Sequence, residues 1–89
     1  MSTHASHPEI IKRLRRAEGH LKSILTMLED SRPCLEIAQQ LQAVERAVAS
    51  AKKALVHDHI DHCLDQAVRD GSRSPDETIR EFKELTKYL

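Results

Sequence analysis

The chain has 89 residues, 39% of them hydrophobic, with no Trp, one Phe (Phe82) and one Tyr (Tyr88), so any core must be built from Leu, Ile, Val and Ala. Fourteen basic residues balance fourteen acidic ones, which argues against a protein that coats nucleic acid by bulk charge and leaves only local patches for steering. No apolar run approaches the ~18 residues of a membrane span, the polar start MSTHASHPE does not read as a signal peptide, and a cytoplasmic protein is expected.

In that reducing compartment two cysteines, Cys34 and Cys63, read as metal-binding or reactive rather than as a structural bridge. A chain this short buries only ~60–65% of its unfolded surface, so help from a metal, a disulfide or oligomerisation is expected. No Gly-rich phosphate loop, nucleophile elbow or carboxylate pair in an apolar setting is present, and no enzyme is predicted.

Residues 1–7 read as a flexible tail. Ser6 and Glu9 then form a potential capping box with Pro8 in the first turn, where its missing N–H costs nothing. Ile10, Leu14, Ala17, Leu21, Ile24 and Leu28 recur at alternating four and three residues and predict helix 1 to about Glu29. Asp30, Ser31, Arg32 and Pro33 end it. From Cys34 to about Arg69 there is neither Gly nor Pro, and Ile37, Leu41, Val44, Val48, Ala51 and Leu55 continue the seam, predicting a second helix about 50 Å long.

Asp70 to Arg73 form the next break, with Gly71 suited to a left-handed helix end. A second box, Ser74 to Glu77 around Pro75, starts helix 3, which is expected to carry Ile79, Phe82, Leu85 and Leu89 inward. The prediction is a single all-α domain over 1–89: a three-helix protomer with one long central helix. Helices 1 and 3 are too short to cover that central helix. The rest of its stripe must find another chain, most simply by two-fold antiparallel pairing centred near Ala47 and Val48, where Ala43, Ala47 and Ala51 permit close approach.

Cys34, His59 and Cys63 carry the most informative spacing. On a straight helix the 25 residues from Cys34 to His59 return to within ~20° of the same face but ~37 Å further along the axis. One chain cannot close a site from them. In an antiparallel pair, Cys34 of one chain comes level with His59 and Cys63 of the other, twice per dimer. Two thiolates and an imidazole suit soft, low-coordinate Cu(I), and with a fourth ligand would accept Zn(II), Ni(II) or Co(II). His4, His7, His57 and His62 are candidates for that fourth position. The competing readings are a solvated face of alternating His and Asp, a Cys that is merely a small core residue, or a disulfide between subunits.

A second constellation is basic. Lys12, Arg13, Arg15, Arg16 and Lys22 are opposed locally only by Glu18, and Arg46, Lys52 and Lys53 add charge near the middle of helix 2. They are either a solvated face or patches that several subunits align along DNA phosphates, with strongly salt-dependent affinity. No helix-turn-helix or winged-helix pattern accompanies them.

The helix 1 stretch IKRLRRAEGHLKSILTMLE, Cys34 at the start of helix 2, IAQQLQAVERAVASAKKAL and HDHIDHC together resemble the CsoR/RcnR/FrmR family of small helical repressors, which sense copper, nickel or cobalt, formaldehyde or persulfide. The likeness spans nearly the whole chain. It implies an antiparallel helical dimer assembling to a dimer of dimers, a homotetramer whose apo form binds operator DNA and lets go when ligand binds. The copper-sensing branch uses a Cys, a His 25 residues on and a Cys four further, matched here by Cys34, His59 and Cys63. A helix 3 glutamate that supports the ligands in that branch corresponds to Glu81 when two residues are inserted after Gly71. Pro33 stands where some copper sensors have Tyr. Formaldehyde sensors generally lack the Cys at position 63 and persulfide sensors the His at 59, whereas some nickel sensors share the set and add an N-terminal His, for which His4 or His7 is available. The expected function is Cu(I)-responsive repression, with Ni(II) or Co(II) sensing, a metal buffer that does not bind DNA, or a purely structural oligomer as the alternatives.

Overall fold

The computed structural model describes residues 6–69 and 74–89. They form three helices, α1 (His7–Glu29), α2 (Cys34–Arg69) and α3 (Pro75–Thr86), with no strand among the described residues. The helix limits expected from the three-four spacing of apolar residues agree with those observed to within a few residues. The break at 70–73, with Gly71 as a helix end, lies outside the described residues. The chain groups into two compact units, one of Pro8–Ala51 and one built on Lys52–Leu89.

In the first unit, α1 packs on the first half of α2. Ile24, Ile37 and Val44 form the buried cluster, with Met27 against it, and each such side chain contributes about 1.5–3 kcal/mol when fully withdrawn from water. The seam divides in a regular way. Ile10, Ala17 and Ile24 on α1, and Ile37, Val44 and Ala51 on α2, are buried at seven-residue intervals. The intervening members are not: Leu14, Leu21 and Leu28 are 44–55% exposed, and Leu41, Val48 and Leu55 are 41–46% exposed. One row of each helix is satisfied inside the chain and the other faces outward, with Ala43 and Ala47 exposed beside it.

The turn between α1 and α2 has a defined cause. Arg32 N–H donates to Met27 O at 3.0 Å and Ser31 N–H to Leu28 O at 3.1 Å, while Ser31 takes a left-handed φ of 54°. This is a Schellman ending, usually built on Gly. Pro33 then offers its carbonyl to Ile37 N–H at 3.2 Å to open α2, and Arg32 bonds Glu36 at 2.9 Å across it. A half-buried His20 Nε2 to Gln40 Oε1 bond of 2.5 Å ties the two helices together.

Two expectations about the start of α1 are corrected. The helix begins at His7, so this residue belongs to the first turn rather than to a tail; Pro8 is compatible with that turn because no N–H is needed there. Ser6 Oγ is buried with no hydrogen-bond partner among the described residues, so it does not close the expected box.

In the second unit, the cap on α3 forms as expected: Ser74 Oγ accepts from Glu77 N–H at 3.1 Å, with Pro75 in the first turn. Replacing Ser74 with Ala should cost about 1 kcal/mol, read as a lower urea midpoint with unchanged denaturant slope at fixed protein concentration. The helix stops at Thr86, short of the Leu89 expected on its inward face, because its end tightens. Lys87, Tyr88 and Leu89 N–H groups all bond three residues back, a geometry that ends rather than extends an α-helix. The inward face also differs from expectation. Thr78 is buried and Leu85 half-buried, but Ile79, Phe82 and Leu89 are exposed. Thr78 can occupy the inner position because its hydroxyl donates to Ser74 O at 3.2 Å, leaving no unpaired donor.

Candidate metal centre

The second half of α2 places His59 and Cys63 one helical turn apart, so their side chains share a face. That face meets α3, where Glu81 projects about two turns beyond the Ser74 cap. Glu81 Oε1 accepts from His59 Nε2 and also from the Cys63 thiol, at 3.3 Å. One ligand atom from each of His59, Cys63 and Glu81 lies within 4.8 Å of the others. Cys63 is buried, at 6% exposure, and the other two are half-buried. A small cleft lined by Ile60, Leu64, Phe82 and Leu85 flanks them, so an imidazole nitrogen, a thiol and a carboxylate converge beside apolar side chains.

Of the three residues whose spacing drew attention, the fold brings two together. Cys34 opens α2 in the other unit and is exposed. Neither cysteine is in a disulfide. His62 is half-buried and His57 and Asp61 are exposed, all on the same stretch of α2. His7 is half-buried at the start of α1, and His4 lies outside the described residues.

The basic residues are all on the surface: Lys12, Arg13, Arg15, Arg16, Lys22, Arg46, Lys52 and Lys53 are exposed. Arg13 and Arg16 come together with His20, Ala47 and Ser50 around an open groove of about 390 Å³ between α1 and the first half of α2. Arg13 also pairs with Glu9 at 3.6 Å, one turn back. His20, which both lines this groove and bonds Gln40, was not singled out from the sequence. Only its three- and four-residue relation to Ala17 and Ile24 could have placed it at the α1–α2 seam.

Three helices, with an N/S/O donor cluster in one unit and an arginine-edged groove in the other, are what a small helical regulator of the metal-responsive kind would need. The chain belongs to the family of metal-sensitive transcriptional repressors, whose model matches residues 6–88; these are regulators and not enzymes. It is 36% identical over 81 residues to the copper-sensing transcriptional repressor CsoR of Bacillus subtilis, covering 89% of this chain and 80% of that one. It is likewise 36% identical over 70 residues to the copper-sensing repressor RicR of Mycobacterium tuberculosis, covering 79% and 73%. Among solved structures, the nickel-responsive transcriptional regulator InrS superposes with a TM-score of 0.83 at 29% identity, over 100% of this chain and 99% of that one. The relatives thus include sensors of two different metals. Among the described residues no helix is long and apolar enough to cross a membrane.

Proposed function

We propose that this repressor is a cytoplasmic homotetramer, a dimer of antiparallel dimers, whose metal-free form holds operator DNA and whose Cu(I)-bound form releases it. Cys34 of one protomer, with His59 and Cys63 of a second, would hold the ion. The observation that carries the reading is the division of these ligands. His59 and Cys63 are already gathered on Glu81, while Cys34 stands exposed about 37 Å earlier along the same helix, which supports completing the sulfur-rich set from another copy. The outward rows Leu14, Leu21, Leu28 and Leu41, Val48, Leu55 support such a copy, since apolar surface of this extent is rarely left to water.

Two thiolates and an imidazole match the preference of Cu(I) for soft donors at low coordination number. Glu81 would not need to be one of them. By accepting from His59 Nε2 it would hold the ring and leave Nδ1 to a metal, the kind of support that outer carboxylates give ligating histidines. Bound across two chains, the ion would link its own binding to how they pack. Lys12, Arg13, Arg15, Arg16, Lys22, Arg46, Lys52 and Lys53 would meet DNA phosphates in the metal-free packing. Replacing Arg16 with Ala should weaken operator and random DNA alike and reduce the slope of log affinity against log salt by about 0.9 for each phosphate no longer neutralised.

A second reading is favoured by the likeness to a nickel-responsive regulator: Ni(II) held by the same three residues and an N-terminal His4 or His7. Anaerobic titration of reduced protein on labelled operator DNA separates them. Release by stoichiometric Cu(I), with a thiolate-to-copper absorption band, supports the first reading. Release by Ni(II) alone, lost when His4 and His7 are replaced by Ala, overturns it in favour of the second, and no DNA affinity at all would leave a metal buffer.

A further inference from the structure

We infer that the groove edged by Arg13, Arg16 and His20 is a seat for one phosphodiester of the DNA backbone, and that His20 is its proton-gated donor, so that operator affinity rises on acidification. The inference rests on the repressor reading above and adds to it a contact residue and a second mode of regulation.

The groove lies within the first unit, on one flank of the α1–α2 seam. At about 100° per residue, Arg13, Arg16 and His20 fall ~40–120° to one side of the buried row Ile10, Ala17 and Ile24, and Leu14, Leu21 and Leu28 fall ~40–60° to the other. The same holds on α2: Ala47 and Ser50 fall to the groove side of the buried row, and Leu41, Val48 and Leu55 to the opposite side. A second copy that covers the outward rows therefore leaves this groove open.

His20 is half-buried, and its Nε2 lies 2.5 Å from Gln40 Oε1. An amide oxygen only accepts, so Nε2 carries a proton and Nδ1 of the neutral ring keeps its lone pair. Nδ1 becomes a donor only when the ring takes a second proton, which histidine ordinarily does between about pH 5 and 8. The charged groups facing the ring are Arg13 and Arg16 on its own helix, and Arg13 also pairs with Glu9 at 3.6 Å. From α2 come Gln40, Ala47 and Ser50, none of them charged. No carboxylate is among the residues that line the groove, so the counter-charge for a third cation must arrive with a ligand. A phosphodiester supplies it. Its oxygens accept from guanidinium, imidazolium and hydroxyl groups alike, and its own charge is constant over this pH range. Against the neutral ring a phosphate oxygen would meet a lone pair; against the protonated ring it meets an N–H. DNA binding is thereby tied to uptake of a proton at each engaged groove, which limits the gain to about ten-fold per pH unit for each.

The test uses the full, reduced, metal-free chain and labelled operator DNA at fixed ionic strength, titrated at about pH 8 and about pH 6. Wild-type protein should bind about ten-fold or more tightly at the lower pH, with a salt slope steeper by about 0.9 for each groove engaged. H20Q keeps an amide that can bond Gln40 but cannot take up the proton, so its pH profile should lose most of that gain. H20R carries a permanent charge and should flatten the profile at the high-affinity level. Long-range proton–nitrogen NMR of the wild-type imidazoles gives a readout independent of any variant's folding: at neutral pH, adding DNA should shift His20 toward the doubly protonated pattern. A full pH gain retained in H20Q, or a His20 ring whose protonation ignores DNA, would overturn the gate and leave the repressor reading standing. Wild-type protein with no operator affinity at either pH would remove that reading and this inference with it.

Discussion

Replacing Cys34 with Ser is expected to abolish the response to Cu(I) while leaving operator binding intact. The substitution removes one of two soft donors from the proposed shared site. It does so at an exposed position whose side chain contributes nothing to the described core. Because loss of an outer supporting group already lowers metal affinity by about 10–100-fold, loss of a primary thiolate should exceed ~100-fold. The wild-type protein should lose roughly 5–150-fold in operator affinity when copper is added, the usual range of allosteric coupling. In C34S the two binding curves, with and without copper, should coincide. Fluorescence anisotropy on labelled operator DNA measures both; a variant that still lets go at stoichiometric copper would show that the third donor comes from elsewhere.

An equally large effect is expected from V48E, this time on assembly. Val48 is 43% exposed and lies in the outward row with Leu41 and Leu55, near the middle of α2. In a lone protomer a carboxylate there remains hydrated and harmless. In an antiparallel dimer centred near this residue the two copies face each other, so two uncompensated charges are buried together. At about 3 kcal/mol or more for each, the dimer should weaken by on the order of 10⁴-fold. Sedimentation at micromolar concentration should then find protomers in place of oligomers, and copper should no longer reach its full ligand set. An unchanged sedimentation coefficient would mean that the outward row meets something other than its own copy.

The helices were legible because their signals are local. The three-four spacing from Ile10 to Leu28, the absence of Gly and Pro between Cys34 and Arg69, and the Ser74–Glu77 box each act within a few residues, and the observed limits follow them. The division of the seam was not legible. Ile24 and Leu28 occupy the same stripe, and only the angle at which α1 meets α2 decides which row is enclosed. Ser31 in a left-handed conformation escaped notice for a different reason, since the position is one that Gly or Asn usually marks. On α3 the apolar residues Ile79 and Phe82 were expected inward, but Thr78 satisfies its hydroxyl on the helix itself and takes the inner place.

The candidate site was partly legible in the same sense. His59 and Cys63 are one turn apart on any helix. Glu81 lies 18 residues beyond Cys63 across the 70–73 break, so no periodicity connects it to them, and only the family resemblance singled it out. The structure adds that its carboxylate bonds both residues at once. Cys34 was tied to them by helical phase and by the family resemblance, and within one chain it lies in the other unit.

No large side chain among the described residues is fully enclosed, and fourteen sizeable apolar ones stay more than 40% exposed. A polypeptide so thinly filled depends on company for its persistence, and its resistance to heat and to proteases should climb with concentration. Newly made copies would be short-lived until they meet, so the cell's supply of working regulator should vary more steeply than in simple proportion to its rate of synthesis.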